Sequence, residues 1–174
     1  MAIEGVTQPE YIQIDEQLRL RKYDGKHDFA FDWYQDIETV KLVDGVEEPY
    51  SQGKLNGMYT YLEQHGELYF IEVLEGETYV PIGDVTFWQE DMPIVIGDKK
   101  YRGKGIGAKA VRVLIQRGRE LGYDTLYVGE IYHFNEGSRR CFEKCGFVAY
   151  EETEKGKKYK LTLIWRLRRV RNTN

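Results

Sequence analysis

The sequence has little of what a metal centre or a disulfide framework requires. Cysteine occurs only twice, at Cys141 and Cys145, four positions apart in a predicted helix. Neither cysteine has Cys or His partners at the spacing of a metal site, and the three histidines, His27, His65 and His133, stand apart from one another. We therefore expect no metal ion, and two reduced cysteines of the kind usual in a reducing cytoplasm.

Long apolar runs are also missing. No stretch approaches the length that a membrane-spanning helix needs, and the opening Met-Ala-Ile-Glu does not resemble a signal peptide. The 174 residues are 41% hydrophobic and 14% aromatic, which suffices for the core of one domain and is too apolar for a disordered chain. These features predict a single domain, residues 1–174, with a cytoplasmic location and no membrane partner.

Acidic and basic residues are unevenly divided between the two halves of the chain. Residues 1–92 hold 20 Asp/Glu and 6 Lys/Arg, a net charge of −14, whereas residues 93–174 hold 9 and 19, a net charge of +10. The acidic half suits a cationic acceptor. The alternative, that the two sets of charges pair across the domain, stays open. The basic tail, residues 166–171, is interpreted as a solvated strand end, and no nucleic-acid partner is expected.

A glycine-rich stretch, Tyr-Arg-Gly-Lys-Gly-Ile-Gly-Ala-Lys at residues 101–109, is the most informative part of the sequence. It follows a short apolar run, residues 94–96, and precedes a segment whose apolar residues recur at the three- and four-residue spacing of a helix face. A glycine-rich turn before a helix leaves backbone N–H groups pointing outward, where the helix dipole adds partial positive charge. The pattern predicts a strand, a phosphate-binding turn and a helix.

Known phosphate-binding patterns narrow the choice of ligand. The loop lacks the Lys-Ser/Thr pair of a P-loop, and its glycines do not follow the G-x-G-x-x-G order of dinucleotide-binding proteins. Arg102, Gly105 and Gly107 instead form R-x-x-G-x-G, which resembles the core motif of the GNAT superfamily of N-acetyltransferases. The resemblance implies that the loop amides hold the pyrophosphate of acetyl-coenzyme A.

By the same resemblance, the strand before the loop offers its backbone to the thioester carbonyl and the pantetheine arm of the coenzyme. The coenzyme-binding residues implied by this motif are Ile96, Arg102, Gly103, Lys104, Gly105, Ile106, Gly107 and Ala108.

A second stretch, residues 135–147, resembles the family's other signature, N-x-x-[AS]-x-x-x-Y-x-K-x-G-F. The resemblance assigns Asn135 to the coenzyme arm and makes Ser138 the small residue that lets the helix approach it. Phe142 departs from the pattern, because the family commonly has a tyrosine there that protonates the leaving thiolate, and phenylalanine has no exchangeable proton. Either Ser138 or a water donates the proton, or the thiolate, whose thiol has a pKa of about 8.5, leaves unassisted.

The remaining patterns predict the element order β-α-α-β-β-β-α-β-α-β-β. Alternating apolar residues indicate strands at residues 11–23, 68–74, 79–88, 94–96, 125–131, 147–150 and 159–165. Helical spacing and capping signals indicate helices at residues 28–34 and 55–64, from the glycine loop to about residue 121, and at residues 135–145. For residues 36–52 the sequence predicts a loop, which can contain a short helical segment. This is the GNAT order, which implies an α/β (α+β) fold with a mixed, mostly antiparallel central sheet flanked by helices.

Acetyl transfer to an amine requires a neutral amine, since an alkylammonium (pKa about 10.4) has no lone pair. For the catalytic base we favour Glu130, which ends a strand five residues before Asn135 and resembles a carboxylate that aminoglycoside 6′-N-acetyltransferases often carry there. The alternative for Glu130 is an exposed or salt-bridged side chain. Asp84, in the middle of a predicted strand, is the second candidate. Core packing rather than an acceptor pocket is the preferred interpretation of Trp33, Tyr34, Tyr59 and Tyr61.

These features predict an acyltransferase that moves acetyl from acetyl-coenzyme A directly to a primary amine of a small cationic acceptor. The nearest subgroup resemblance is to aminoglycoside 6′-N-acetyltransferases, which implies a role in antibiotic resistance. One alternative is an acetyltransferase of protein N-termini or ribosomal proteins, which needs an extended groove for a peptide. The other is a non-catalytic acyl-coenzyme A-binding regulator, which Phe142 favours. The resemblance is also compatible with a homodimer.

Overall fold

The computed structural model describes residues 2–163, and the strands in this part of the chain form two antiparallel sheets. The first sheet keeps the chain order and consists of β1 (Tyr11–Gln13), β2 (Leu18–Lys22), β3 (Glu67–Glu75), β4 (Thr78–Phe87) and β5 (Ile94–Ile96). The second sheet has the spatial order β6 (Thr125–Tyr132), β8 (Gly156–Thr162) and β7 (Val148–Glu152).

Helices cover the sheets, and most of them begin at a side-chain cap. They are α1 (Ile37–Asp44), α2 (Gln52–His65), α3 (Ile106–Glu120) and α4 (Glu136–Lys144), with short 3₁₀ helices at Asp28–Gln35 and Lys99–Tyr101. The side chains of Asp36, Ser51 and Asn135 cap α1, α2 and α4 by accepting a first-turn N–H at 2.9, 3.1 and 3.1 Å. In contrast, α3 has no side-chain cap and follows Gly105, whose φ is +77°.

Two apolar cores lie on opposite faces of the first sheet, because alternate residues of a strand point to opposite faces. Tyr69 and Ile71 of β3 belong to a core with the apolar face of α3. Leu68 and Phe70 belong to a second core, which α1, α2 and the first 3₁₀ helix complete with the buried residues Ala30, Tyr34, Val40, Tyr50, Leu55, Tyr59 and Leu62. The interpretation of Tyr34 and Tyr59 as core residues is therefore correct, whereas Tyr61 is exposed.

A buried ion pair joins α3 to the start of β3. Arg117 donates from Nε and from Nη2 to the two carboxylate oxygens of Glu67 at 3.0 and 2.8 Å. The side chains of Arg117 and Glu67 are only 13% and 2% exposed. The Tyr69 hydroxyl donates to the same carboxylate at 2.9 Å, and Arg117 Nη2 also donates to the carbonyl of Thr7. This two-pronged pairing of a guanidinium with a carboxylate holds the C-terminal end of α3 on the sheet.

The predicted α/β (α+β) fold class with a mostly antiparallel sheet flanked by helices is confirmed, although the described strands form two antiparallel sheets instead of one mixed sheet, and several boundaries differ. The predicted single strand at residues 11–23 is two strands, because the Asp15 carboxylate accepts the N–H of Gln17 at 2.9 Å and closes a turn between them. The predicted loop at residues 36–52 contains α1 and the first residue of α2. The last strand starts at Gly156 rather than at residue 159, and the basic tail lies outside the described residues.

No helix that the structure describes between residues 2 and 163 is long and apolar enough to cross a membrane.

Thr86 in β4 is fully buried, and among the described residues its hydroxyl oxygen is the one buried side-chain polar atom that lacks a hydrogen-bond partner. Leaving such a group unsatisfied costs about 1–3 kcal/mol. We therefore expect Thr86→Val, which keeps the shape and removes the hydroxyl, to raise the free energy of unfolding by about 1 kcal/mol or more in urea titrations.

Thr39 provides the matched control for this substitution. It is equally buried, but its hydroxyl donates to Asp36 and accepts from Arg102 at 2.8 and 2.7 Å. Thr39→Val should therefore lower the free energy of unfolding. Equal effects of the two substitutions would contradict the assignment of an unsatisfied hydroxyl at Thr86.

Candidate active site

The two sheets meet at the turn between β4 and β5, where three successive contacts join this turn to β6. Gln89 Nε2 donates to the Thr125 carbonyl at 3.1 Å, and the Tyr127 N–H donates to the Gln89 carbonyl at 2.9 Å. The third contact runs from the Gly129 N–H to Asp91 Oδ1 at 2.8 Å. The contacts fall on every second residue of β6, which is the spacing of a β-ladder, although two of the three use side chains of the turn. Beyond Asp91 and Gly129 the strands β5 and β6 belong to separate sheets.

A cleft of about 650 Å³ opens where β5 and β6 separate. Its walls are formed by β5, β6, the glycine loop, the start of α3, α4 and one side of α1. Most residues that the two motifs assigned to the coenzyme line this cleft, namely Ile96, Arg102, Gly103, Gly105, Ile106, Gly107, Ala108, Asn135 and Ser138. Lys104 is exposed beside the cleft, with its ammonium 5.7 Å from the centre of the Tyr101 ring.

The register of β5 turns part of its backbone toward the cleft. The Thr86 N–H donates to the Pro93 carbonyl at 3.0 Å, and the Gly97 N–H donates to the Ile82 carbonyl at 2.8 Å. In an antiparallel pair, alternate residues bond to the partner strand and the residues between them face away. The N–H and C=O groups of residues 94 and 96 therefore face the cleft. Arg102 bonds to the carbonyl of Ile96, and the other three groups can pair with a linear polar ligand.

The glycine loop gives α3 an N-terminus without side-chain partners. Gly103 and Gly105 have φ values of +71° and +77°, a region that residues with a Cβ rarely adopt. Because α3 has no side-chain cap, its first N–H groups and its dipole can act on an anion. A Cβ on Gly107 would lie 3.3 Å from Cys141 Sγ, so this glycine lets α4 approach the start of α3.

Helix α1 crosses one end of the cleft and is held from both sides. On one side, Arg102 donates from Nε to the Ile96 carbonyl at 2.8 Å and from Nη2 to the Thr39 hydroxyl at 2.7 Å. On the other side, Asn135 Nδ2 donates to the Leu42 carbonyl at 3.2 Å, while its Oδ1 caps α4. Arg102 and Asn135 thus shape the cleft by bonding to the chain itself.

Glu130 is an exposed carboxylate on the cleft wall, at the end of β6. Two residues later, Tyr132 also lines the cleft. Burial raises the pKa of Tyr132, and the negative charges of Glu130 and then Asp44 raise it further. The phenol and the Glu130 carboxylate therefore act on each other electrostatically at the end of the cleft that α1 covers.

At the position where the motif usually has a tyrosine, this chain has a buried phenylalanine, Phe142. Phe142 is 1% exposed and packs edge-on against Phe147, with ring centres 5.3 Å apart. On the same helix, Cys141 lines the cleft, and burial raises the pKa of its thiol to about 12. A thiol with such a pKa stays protonated near neutral pH and is a poor nucleophile.

Asp84, the second candidate base, lies away from the cleft lining in the tyrosine-rich core. It is 2% exposed, and its Oδ2 accepts the hydroxyls of Tyr34 and Tyr59, both at 2.9 Å. Burial raises the pKa of Asp84 to about 6, although the two hydroxyl donors lower it. This carboxylate joins β4 to the first 3₁₀ helix and to α2.

The raised pKa of Asp84 predicts a pH dependence of stability. Folded Asp84 titrates at about 6, whereas an unfolded aspartate titrates near 3.9, so the folded state binds this proton more tightly. Its contribution is fully present below about pH 4 and is lost as the pH rises through about 6. We therefore expect Asp84→Asn, whose amide oxygen still accepts both hydroxyls, to be more stable than wild type at pH 8. This advantage, on the order of 2–3 kcal/mol, should shrink toward pH 4.

Urea titrations of both proteins at several pH values between 4 and 8 measure this difference. A difference in the free energy of unfolding that does not change with pH would contradict a raised pKa at Asp84. Turnover of Asp84→Asn near the wild-type level would indicate that Asp84 acts in the core. Loss of turnover in a stably folded variant would restore Asp84 as a candidate base.

Asp91 is one of the cleft residues that sequence reasoning missed. Its carboxylate lines the cleft and accepts two backbone N–H groups at 2.8 Å, from Gly129 and from Met92. Asp91 follows the predicted strand 79–88 in the sequence, where a turn aspartate attracts no notice. Its role depends on a contact with a residue far along the chain, and no local pattern signals such a contact.

Several charges of the acidic N-terminal half pair with basic residues of the C-terminal half. These pairs are Lys99–Asp36 at 2.8 Å, Lys100–Glu75 at 3.2 Å, Lys109–Asp15 at 2.8 Å and Arg117–Glu67 at 2.8 Å. Of the acidic residues in the described part, only Asp91 and Glu130 line the cleft. At these residues the charge asymmetry therefore corresponds to pairing across the domain.

Comparisons with known structures find the same fold at low sequence identity. A domain from Methanocaldococcus jannaschii superposes with a TM-score of 0.74 at 20% identity, over 86% of this chain and 100% of that one. An acetyltransferase from Salmonella typhimurium that modifies the N-terminal serine of the 50S ribosomal protein L7/L12 gives a TM-score of 0.65 at 16% identity, over 89% and 100% of the chains.

Aminoglycoside acetyltransferase AAC(6′)-Ib in complex with coenzyme A gives a TM-score of 0.66 at 19% identity, over 83% of this chain and 94% of that one. That enzyme is also known in complex with ribostamycin and coenzyme A. No curated protein sequence matches the chain.

A model of the acetyltransferase (GNAT) domain matches residues 17–148. This segment includes the whole first sheet from β2 onward, the glycine loop, α3 and α4, and so contains both sequence motifs. Since it covers well over half of the chain, the protein belongs to the GNAT acetyltransferase family and is an acetyl-coenzyme A-dependent N-acetyltransferase.

Proposed function

We propose that the chain acetylates a primary amine of a small cationic acceptor, such as an aminoglycoside, with Glu130 as the general base. The observation that carries this proposal is the place of Glu130. It is an exposed carboxylate on the wall of the same cleft that the glycine loop and the backbone of β5 line. A carboxylate there can attract a cationic amine and accept its proton.

Coenzyme binding is assigned to the backbone of two segments. The loop amides from Gly103 to Ala108, with the uncapped start of α3, suit the two negative charges of a pyrophosphate. The cleft-facing N–H and C=O groups of Ile94 and the N–H of Ile96 suit the amides of the pantetheine arm and the thioester carbonyl, whereas the Ile96 carbonyl is already bonded to Arg102. A backbone N–H aimed at that oxygen would stabilise the negative charge that develops on it during transfer.

The acetyl group passes directly to the amine in this proposal. The neutral amine forms a bond to the thioester carbon, the C–S bond breaks, and the amine proton goes to Glu130. A covalent intermediate on Cys141 is disfavoured because burial raises the pKa of that thiol to about 12. Phe142 cannot protonate the leaving thiolate. The thiolate, whose thiol has a pKa of about 8.5, leaves as the anion and takes its proton from water, and Ser138, which lines the cleft, is the side chain assigned to hydrogen-bond to it.

The preference for a cationic acceptor rests on few charges. Asp91 and Glu130 are the acidic residues of the cleft in the described part of the chain, and the basic residues Arg102, Arg140 and Lys144 also line it. The attraction of a cationic amine is therefore assigned to the Glu130 carboxylate itself and not to the charge of the whole cleft. Similarity to AAC(6′)-Ib, which binds ribostamycin together with coenzyme A, supports an aminoglycoside as the first acceptor to test.

A protein N-terminus is the second candidate acceptor. The Salmonella enzyme that modifies the N-terminal serine of L7/L12 superposes about as well as AAC(6′)-Ib, with TM-scores of 0.65 and 0.66. The fold therefore supports both classes, and the chemistry of the acceptor must decide between them.

The deciding experiment measures thiol release from acetyl-coenzyme A with aminoglycosides, polyamines and short peptides bearing free N-termini. We expect turnover with the polycationic small molecules and slower turnover with peptides of equal amine concentration. Acetylated products are identified by mass spectrometry, and a reaction without acceptor corrects for hydrolysis. Turnover only with peptides would replace the proposed acceptor with a protein N-terminus.

A further inference from the structure

We infer that Asp91 is a positioning residue for acetyl transfer: its carboxylate fixes the point at which β6 leaves β5, and thereby the place of Glu130 on the cleft wall. This inference rests on the proposed role of Glu130 as the base. It adds a residue that neither sequence motif contains.

The carboxylate of Asp91 forms the last contact between the two sheets before the cleft opens. The two preceding contacts, Gln89 with Thr125 and Tyr127 with Gln89, involve backbone groups of β6 in the same way. On the side of the turn, the first contact uses the Gln89 side chain, the second the Gln89 carbonyl, and the third the Asp91 side-chain oxygen, which accepts the Gly129 N–H. The series of contacts between the turn and β6 therefore ends at the Asp91 side chain and Gly129, and the next residue along β6 is Glu130.

The Asp91 side chain is itself held in place. Its Oδ1 also accepts the N–H of Met92 at 2.8 Å, and Met92 is 1% exposed in the main core. The turn that carries Asp91 closes through backbone hydrogen bonds between Trp88 and Asp91 in both directions, at 3.3 and 3.4 Å. The acceptor oxygen thus has a fixed position relative to β4 and β5.

Glycine at residue 129 leaves space for this contact. A Cβ there would lie 3.1 Å from Asp91 Oδ2 and 3.3 Å from its Cγ, closer than an ordinary van der Waals contact. The φ of Gly129 is not positive, so space beside the carboxylate, rather than backbone conformation, accounts for the glycine.

The same short segment contains an irregularity that turns Glu130 outward. The register between β6 and β8 shifts between Val128 and Ile131, which is the mark of a β-bulge. Val128 and Ile131 are both buried in the core, whereas Glu130 between them is exposed on the cleft. Asp91 holds the first residue of this bulge at Gly129, and so determines where the Glu130 side chain leaves the strand.

The test compares Asp91→Ala with Asp91→Asn. Alanine removes the acceptor of the Gly129 and Met92 N–H groups, whereas the amide oxygen of asparagine can accept both. Since a displacement of about 1 Å can cost about 10²-fold in rate, we expect kcat of Asp91→Ala to fall by about 10- to 100-fold. The Kd of coenzyme A, measured by calorimetry, should stay near the wild-type value, and Asp91→Asn should recover most of kcat.

A double-mutant cycle with Glu130→Gln separates positioning from an independent effect. If Asp91 acts through Glu130, the Asp91→Ala/Glu130→Gln protein should be no slower than Glu130→Gln alone, because the base is already absent. Multiplied losses in the double mutant would overturn the inference. So would a wild-type kcat in Asp91→Ala.

Gly129→Ala keeps the inference testable if Asp91→Ala does not fold. This variant retains the carboxylate and places a methyl group against it, so a lowered kcat with unchanged coenzyme affinity is expected, and an unchanged kcat would overturn the inference. Failure of the proposed function gives a different result. If Glu130→Gln itself keeps wild-type turnover, the base assignment fails and this inference fails with it. Loss in Glu130→Gln but not in the Asp91 and Gly129 variants overturns the inference alone.

Discussion

Glu130→Gln is expected to lower kcat for acetyl transfer by about 10²–10⁴-fold, the usual contribution of a positioned general base. Glutamine keeps the length and polarity of the side chain on the cleft wall but cannot take the proton of an ammonium acceptor. The coenzyme is assigned to the glycine loop and β5, so its Kd should not change. Steady-state kinetics with the best acceptor and calorimetry with coenzyme A measure the two quantities.

The pH dependence of the loss of kcat in Glu130→Gln identifies the cause of that loss. An alkylammonium deprotonates without help near its pKa of about 10.4, so the ratio of wild-type to variant rates should narrow as the pH rises toward that value. Glu143→Gln is the matched control, because Glu143 is exposed, pairs within residues 2–163 only with Arg139 at 3.2 Å, and lies outside the cleft lining. Its kcat should equal that of wild type. Equal turnover of Glu130→Gln and wild type at neutral pH would remove Glu130 from the mechanism.

Arg117→Ala is expected to lower the free energy of unfolding by about 3–5 kcal/mol, the usual cost of removing one partner from a buried ion pair. The substitution leaves the Glu67 carboxylate, 2% exposed, without its two guanidinium donors. The Tyr69 hydroxyl alone remains to satisfy it. Natural domains have only about 5–15 kcal/mol of stability in total, so this variant should melt well below wild type.

Two further variants calibrate the effect of Arg117. Arg139→Ala removes an exposed helical pair with Glu143 and should cost only about 0.3–0.5 kcal/mol. Arg117→Lys retains one charge but not the two-pronged geometry, and should fall between wild type and alanine. Urea titrations measure all three. A loss in Arg117→Ala as small as that in Arg139→Ala would show that the Arg117–Glu67 pair contributes little to holding α3 on the sheet.

The strand, glycine loop and helix could be predicted from the sequence because each is specified locally. Glycines at residues 103 and 105 match the positive φ values that the loop adopts, and the apolar spacing of α3 matches its buried face. These local signals also carried the family resemblance, and the match to the GNAT domain confirms the predicted acetyl-coenzyme A-dependent N-acetyltransferase. The match to the GNAT domain does not identify the acceptor, which experiments must determine.

The cleft itself could not be predicted, since it depends on contacts between distant parts of the chain. Asp91 meets Gly129, and Arg102 reaches Thr39, with nothing in either local sequence to indicate the partner. Helix α1, in contrast, was missed although its signals are local: Asp36 caps it, Gly45 with a φ of +77° ends it, and half of its eight residues are aliphatic. The sequence likewise does not distinguish the two candidate bases. It is the tertiary structure that exposes Glu130 and buries Asp84.

The most direct test of this account is a crystal structure of the protein with bound coenzyme A. We predict the pyrophosphate on the amides of residues 103–108 and the thiol end between β5 and β6, on the side of the cleft where Glu130 and Asp91 lie. Coenzyme A bound elsewhere, or with its thiol directed away from Glu130, would contradict the assignment of this cleft as the site of acetyl transfer.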